Sequence, residues 1–433
     1  MILEGLEETV SRRNREGLIL PRYDGYSLLN VPNTAFQILG FKPPGPALSE
    51  LITKHIDASG IKKVLLLLID GFGYKMFLDS YRKSGLFKAI AEHGIVAPIT
   101  SNFPPTTAAS ITTMNTSLTP PQHALQEWNL YFNEVDEIIK PLPLTTIDNK
   151  HEPLTKIKEN PAILYNGSTI YEEMNKQKLK SVIVQTIGLA SSTYNKLMNR
   201  GAEMITYTTA SDMALKSRKA IEEINSGYVY AYTDYVDFTA HVYGPQSNES
   251  VSEIINLGEV IQRNLIGGLS RKVAEETLFM ITADHGHIQV DPKKIIFLEE
   301  DKLLAEAYEI GPRSKPILPC GLSRDVFLHI RKEMEDEIIE HLSRKLIGRA
   351  KVIKTEDAVR MGLFGVGTVN REFFNRVGNV IILPEDNIQV WYNKTDYDKY
   401  QKGNKPQLLG MHGGISEDEM IIPFAACRLS ELY

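Results

Sequence analysis

The chain predicts an α/β protein: a mostly parallel sheet sandwiched by helices, with a smaller α+β subdomain inserted toward the C-terminus. Three observations lead there. Short unbroken apolar runs alternate with helical patterns, three of those runs end on aspartates, and the composition becomes charged and loop-rich after His287. Uninterrupted β-rich runs suit strands buried on both faces, and their alternation with helices argues for parallel connections.

In chain order, residues 1–60 mix amphipathic stretches with turn chemistry, notably Pro43-Pro44-Gly45-Pro46, and read as an N-terminal wrapping segment. Ser49 is a candidate cap for a short helix ending near Gly60. Lys63 to Ile69 is the first buried strand, and it runs into Asp70-Gly71-Phe72-Gly73. Lys180 to Ile187, Tyr228 to Thr233 and Glu276 to Ala283 repeat the pattern, separated by helical stretches such as Ala210 to Asn225 and Glu249 to Leu265. Asp234 and Asp237 follow one of these strands and Asp284 another. Functional groups of open α/β sheets gather at the carboxyl ends of strands, so acids converging from three strands mark a site. A catalytic domain is expected over 61–289 and 406–433, with 290–405 as an inserted cap. Within the insert, Asp325 to Ile330 and Asn379 to Leu383 read as strands around a charged helix, Glu333 to Leu346, forming a β-α-β unit suited to covering the site and selecting substrate.

With 433 residues, 42% of them hydrophobic, the chain can bury a sizeable core without disulfides. A net charge of -6 argues against a nucleic-acid-binding surface. It leaves a phosphate-bearing substrate open, because bound cations would dominate the local charge. Cys320 and Cys427 lie at no metal-like or redox spacing and read as buried thiols of a reducing compartment, with one long-range disulfide as the alternative. The N-terminus lacks the regions of a signal peptide, and the longest apolar run, Val64 to Ile69, is too short to span a membrane. The expected setting is cytoplasmic, with no membrane partner, and nothing in the pattern sets the oligomeric state.

The densest fragment is Asp284-His285-Gly286, where a strand end can turn both side chains toward one ion. Asp237 and His241 are four residues apart, which on a helical turn puts carboxylate and imidazole on one face; a surface ion pair would show the same spacing. Asp234 competes for that ligand role but lacks the spacing and reads as a supporting partner. His412 sits between glycines in a loop that permits close approach, and His287 reads as a supporting or structural residue. In Phe103-Pro104-Pro105-Thr106-Thr107-Ala108-Ala109, prolines followed by threonine and small residues mark a helix N-terminus. There a hydroxyl meets unsatisfied N–H groups that favour phosphate, although an ordinary N-cap threonine fits the same pattern.

These segments resemble the alkaline phosphatase superfamily, specifically its type I phosphodiesterase/nucleotide pyrophosphatase branch. The matching order is Asp-Gly-Phe at 70–72, Phe-Pro-Pro-Thr-Thr-Ala-Ala at 103–109, Asp-x-x-x-His at 237–241, Ala-Asp-His-Gly at 283–286 and Gly-x-His-Gly-Gly at 410–414. Thr116-Ser117-Leu118 and Gln122-His123 resemble the segment after the family's nucleophile, and counting back from them favours Thr107 over Thr106. The resemblance implies an alkaline-phosphatase-like fold and two divalent metal ions, zinc first, with manganese or iron as alternatives. Asp70, Thr107, Asp284 and His285 would hold one ion, and Asp237, His241 and His412 the other. Thr107 would attack phosphorus and form a phosphothreonine, in a site whose two ions lie about 4 Å apart. The family's phosphate-contacting asparagine corresponds most nearly to Asn129, one residue off register beside Trp128. The implied substrate is a small phosphate ester such as a nucleotide. The alternatives are a phosphomonoesterase or phosphonate hydrolase of the same superfamily, or a metal-stabilised binding protein that has lost catalysis.

Overall fold

The computed structural model describes residues 1–147, 151–365, 367–394 and 407–433. Its centre is a seven-stranded sheet. In chain order the strands are β1 (Lys63–Ile69), β2 (Ile95–Thr100), β3 (Lys180–Thr186), β4 (Glu203–Tyr207), β5 (Gly227–Thr233), β6 (Thr277–Thr282) and β7 (Ile421–Arg428). In space the order is β2-β7-β6-β1-β5-β3-β4. β1 pairs in parallel with β5 and β6, and β3 with β4 and β5; only β7 runs antiparallel to its neighbours. Every residue of β1, β5 and β6 is buried, as their unbroken apolar sequences require.

Helices cover this sheet in the α/β manner expected. Ala210–Glu223 packs on β3, β4 and β5, and its start is set by Thr209, whose hydroxyl accepts from Asp212 N at 3.2 Å. Asn248–Asn264 starts in the same way on Ser247. Three strands went unread in the sequence: β2, β4 and β7. β7 contains Pro423, and β4 carries polar and half-buried residues, so neither shows an uninterrupted apolar run.

Part of the N-terminal segment runs along the outer edge of the sheet. Ile2 bridges Val96 and Ser27 bridges Thr100, so the free edge of β2 is covered. Ser49 does cap a helix, with its Oγ accepting from Leu51 N, but that helix spans Glu50–Thr53 and stops well short of Gly60. Farther on, the Asp57 carboxylate takes the N–H and hydroxyl of Ser59 in a local turn, so the chain does not return to helix before Gly60.

Residues 320–384 form a four-stranded antiparallel sheet in the order Cys320–Leu322, Asp325–Leu328, Val380–Pro384, Ala350–Lys354. The helix Glu335–Lys345 packs beside it, and Val326, Leu328, Ile338, Leu342, Val380 and Ile382 share a second core. The parallel partner of Asp325–Leu328 across this β-α-β unit is Ala350–Lys354, with Val380–Pro384 lying antiparallel between them. Ala350–Lys354 is short and half-buried, which hid it in the sequence. The expected boundary at 405–406 lies outside the described residues. Cys320 and Cys427 are both free and buried, which removes the disulfide alternative. Among the described residues, no helix is long and apolar enough to cross a membrane.

One buried ion pair joins the inserted sheet to the C-terminal loop. Arg324 Nε and Nη2 donate to Glu419 Oε1 and Oε2 at 3.0 and 2.9 Å, and Nη1 donates to Ile388 O at 2.6 Å. Glu419 also accepts from Gly414 N at 2.9 Å and Ser416 Oγ at 2.7 Å, so its carboxylate is fully satisfied. Removing one member strands the other charge in the interior, which costs about 3–5 kcal/mol. Arg324→Met is therefore expected to lose that much stability in denaturant unfolding; a loss below about 1 kcal/mol, the value of an exposed pair, would show that the contact is dispensable.

Candidate metal centre

Strand register assembles the first acids. Ile69 lies beside Thr233, and Leu68 beside Thr282, so the residues that follow bring Asp70, Asp234 and Asp284 to one level at the strand ends. The chain then turns at Gly71, with φ +71°, where a Cβ would lie 2.6 Å from His287 Cε1 and 2.9 Å from Asp237 Cα. Only glycine fits there.

One oxygen of each key carboxylate is anchored and the other is left free. Asp284 Oδ1 accepts from Gly71 N and His285 N, both at 3.0 Å, and Asp70 Oδ2 accepts from the Tyr232 hydroxyl. Asp70 Oδ1 and Asp284 Oδ2 are buried without a hydrogen-bond partner. They face His285 Nε2 at 3.3 and 3.5 Å, and Thr107 Oγ1 lies 3.2 Å from the same nitrogen. Thr107 is the first residue of the helix Thr107–Thr116 and remains partly exposed, so this corner of the site is reachable.

A second group adjoins the first. On the helix Tyr235–Tyr243, Asp237 Oδ1 lies 3.4 Å from His241 Nε2 and 3.2 Å from His287 Nε2. Asp237, His241, His287 and His412 each offer a ligand atom within 4.8 Å of the others, as do Asp70, Asp237 and His285. His285 and His412 stack with ring centroids 3.6 Å apart, which makes the two groups contiguous.

The imidazoles share one mode of anchoring. Nδ1 of His241, His285, His287 and His412 lies against the carbonyls of Gly410, Gly286, Gly71 and Pro105, at 2.7, 3.0, 3.3 and 3.1 Å. A carbonyl only accepts, so each Nδ1 carries the hydrogen and each Nε2 lone pair is turned inward. That is how metal-binding histidines are held. Together with the unpartnered Asp70 Oδ1, Asp237 Oδ1, Asp284 Oδ2 and His287 Nε2, it shows that these residues fit divalent cations.

The titration pattern agrees. Burial, then the charge of Asp237, pushes the Asp70 carboxyl well above the usual carboxylate range; burial and then Asp70 do the same to Asp284. Burial also opposes charge on Asp237, but His241, His287 and His285 hold it well below its ordinary value. Burial pushes the His241 and His412 imidazoles down, and in His412 the other three rings add to the effect.

The structure thus brings together Asp70, Thr107, Asp237, His241, Asp284, His285 and His412. Asn129 is not turned to this purpose: its Nδ2 donates to Gly321 O at 2.8 Å, and its own carbonyl accepts from Gly321 N, tying it to the inserted sheet. His287 was set aside in the sequence but stands within the second group. Its signal was the alternate spacing from His285, since residues i and i+2 of an extended segment share a face. Tyr232, which holds Asp70, lies two residues before Asp234 and gave no distinguishing sign.

Two contiguous carboxylate–imidazole groups and a hydroxyl at the strand ends form a donor set suited to a metal-dependent hydrolase of phosphoric esters. The sequence profile described as type I phosphodiesterase / nucleotide pyrophosphatase matches residues 64–415, and the chain belongs to that family. Murine ectonucleotide pyrophosphatase/phosphodiesterase 5 is similar in structure, with a TM-score of 0.61 and 18% identity over 84% of this chain and 88% of that one. An inactive form of the murine protein has been solved with AMP, with the same similarity. Phosphonoacetate hydrolase from Sinorhizobium meliloti 1021, in complex with phosphonoformate, has a TM-score of 0.60 and 17% identity over 85% of this chain and 93% of that one. At these identities the likeness concerns the fold. Comparison with curated proteins gives no match.

Raised carboxyls make metal uptake a proton-coupled event. Without cations, Asp70 and Asp284 hold protons above the ordinary carboxylate range, and binding as ligands requires them ionised. Adding zinc to metal-free protein is therefore expected to release protons, and affinity is expected to rise with pH. An indicator titration showing no proton release would contradict the ligand assignment.

Proposed function

We propose that this chain is a two-metal phosphodiesterase/nucleotide pyrophosphatase that uses Thr107 as its nucleophile. The observation that carries this reading is the Thr107 hydroxyl, 3.2 Å from the His285 nitrogen that the free oxygens of Asp70 and Asp284 also face. Asp70, Thr107, Asp284 and His285 would hold one cation, and Asp237, His241 and His412 the other, with His287 against Asp237. The mixed carboxylate and imidazole donors favour zinc, with manganese or iron as alternatives. When bound, the cations lower the pKa of the attacking hydroxyl and offset charge on the phosphoryl oxygens.

The protein's own groups do the positioning. Thr107 opens its helix, and Thr106 makes no side-chain cap, so the first N–H groups of the helix are free for phosphate oxygens. Thr107 Oγ adds to phosphorus as the bond to the leaving oxygen breaks, giving a phosphothreonine that water then cleaves to restore the hydroxyl. Carboxylates anchored through one oxygen, and imidazoles anchored through Nδ1, keep the remaining donors in place through both steps. The substrate in this reading is a small phosphate ester such as a nucleotide, acted on in the cytoplasm, and the inserted sheet acts as the cap that selects it.

Metal-loaded protein is expected to hydrolyse bis(nitrophenyl) phosphate faster than the nitrophenyl monoester. Thr107→Ala is expected to lose about a thousandfold in turnover, equivalent to about 4 kcal/mol in the barrier. Unchanged turnover in that variant would overturn the nucleophile assignment, and a preference for the monoester would move the reading to a phosphatase. Elemental analysis of zinc-loaded protein should find two zinc ions per chain, with His412→Ala losing one of them first; one ion or none in active protein would refute the two-group assignment.

A further inference from the structure

A second set of unsatisfied groups lies where the inserted sheet meets the cap of the nucleophile helix. Glu127 and Asp325 are both 0% exposed. Glu127 Oε2 accepts from Trp128 N, but Glu127 Oε1 and both oxygens of Asp325 have no hydrogen-bond partner. Thr106 adds an independent sign. It occupies the N-cap position of Thr107–Thr116, yet its hydroxyl does not cap the helix. That hydroxyl is buried, faces Glu127, and makes no hydrogen bond of normal geometry. Asp325 and Thr106 both adjoin Gly413, where an added Cβ would lie 2.6 Å from Asp325 Oδ1 and 3.5 Å from Thr106 Cγ2, and the charge of Glu127 acts on Asp325.

Charge makes this arrangement incomplete. Arg324 stands next to Asp325, but both faces of its guanidinium fork are committed to Glu419 and Ile388 O. Asp325 and Glu127 therefore have no cationic hydrogen-bond partner, and both can ionise together only if a positive charge is supplied. Buried charges of that kind are paired or coordinate a metal. Burial pushes Glu127 up to about 8, and burial together with Glu127 raises Asp325 well above the carboxylate range.

We propose that Glu127, Asp325 and Thr106 form a third cation site, separate from the imidazole groups, that takes a hard divalent ion such as calcium, magnesium or manganese. The donors are all oxygen and none is imidazole or thiolate, which favours hard cations over zinc. One ion of charge two would neutralise the excess and fasten the insert to the start of the nucleophile helix. Its standing is independent of the phosphodiesterase reading, since that reading gives neither Glu127 nor Asp325 a part in phosphoryl transfer.

The test uses the full chain with its zinc positions filled. Calcium, magnesium and manganese are each added at millimolar concentration, and bound ions and the thermal midpoint are measured. The expected result is one further ion per chain and a rise in midpoint of several degrees. Asp325→Asn and Glu127→Gln keep side-chain shape, remove a buried charge and are expected to fold with zinc content unchanged. Each should bind the added ion at least about tenfold more weakly, because affinity in such sites follows the number of charged ligands. Binding of none of the three ions by the parent protein would overturn the proposal, as would undiminished binding in both amide variants. A parent midpoint that responds to pH but to none of the cations would also overturn it, showing instead two carboxyls that share a proton.

Discussion

Parallel pairing of β1 with β5 and β6 is the constraint on which the rest of the site depends. It sets Asp70, Asp234 and Asp284 abreast at the strand ends, before any side chain has been oriented. Asp70 and Asp284, both buried, repel one another, and the fold answers each of these two with a donor. Tyr232 takes one oxygen of Asp70, while the backbone of Gly71 and His285 takes one oxygen of Asp284. The oxygens left over need a positive charge that the protein does not supply. Repulsion that would destabilise an ordinary core is what a cation bound by these groups would relieve.

The imidazoles show the same division of labour. Main-chain carbonyls from four separate segments hold the Nδ1 atoms, so ring orientation is a property of the backbone and is set before metal arrives. Close packing enforces this. Gly71 touches the space of His287 and Asp237, and Gly73 and Gly286 lie back to back, where a Cβ on Gly73 would come within 2.7 Å of the Gly286 Cα. The glycines beside the ligands thus allow separate loops to approach at backbone distance.

Much of this was legible in the chain, and the reasons differ by element. Lys63–Ile69 was readable because a strand buried on both faces carries no polar residue after Lys63 to disguise it. The gathering of acids and imidazoles was readable because acids after strands, and an i,i+4 Asp–His pair, have few structural alternatives when they occur together. β4 and β7 were not readable, since a half-buried edge strand and a strand containing proline do not show the same run. Asn129 was drawn in by position, but its amide serves a contact with Gly321, across a fold distance that no local pattern records. His287, Arg324 and Glu419 were passed over for a related reason: their importance lies in partners distant in sequence.

The place of β7 bears on how the protein comes into being. This strand fills the gap between β2 and β6, both of which end well over a hundred residues before it, and the segment leading into it carries His412. A growing chain therefore holds β2 apart from β6, with those facing edges unpaired, until Ile421–Arg428 emerges. The second group of ligands lacks one imidazole for the same interval. Completion of the core and completion of the catalytic centre are a single event in synthesis, so a chain truncated before β7 would be neither well folded nor a hydrolase in waiting.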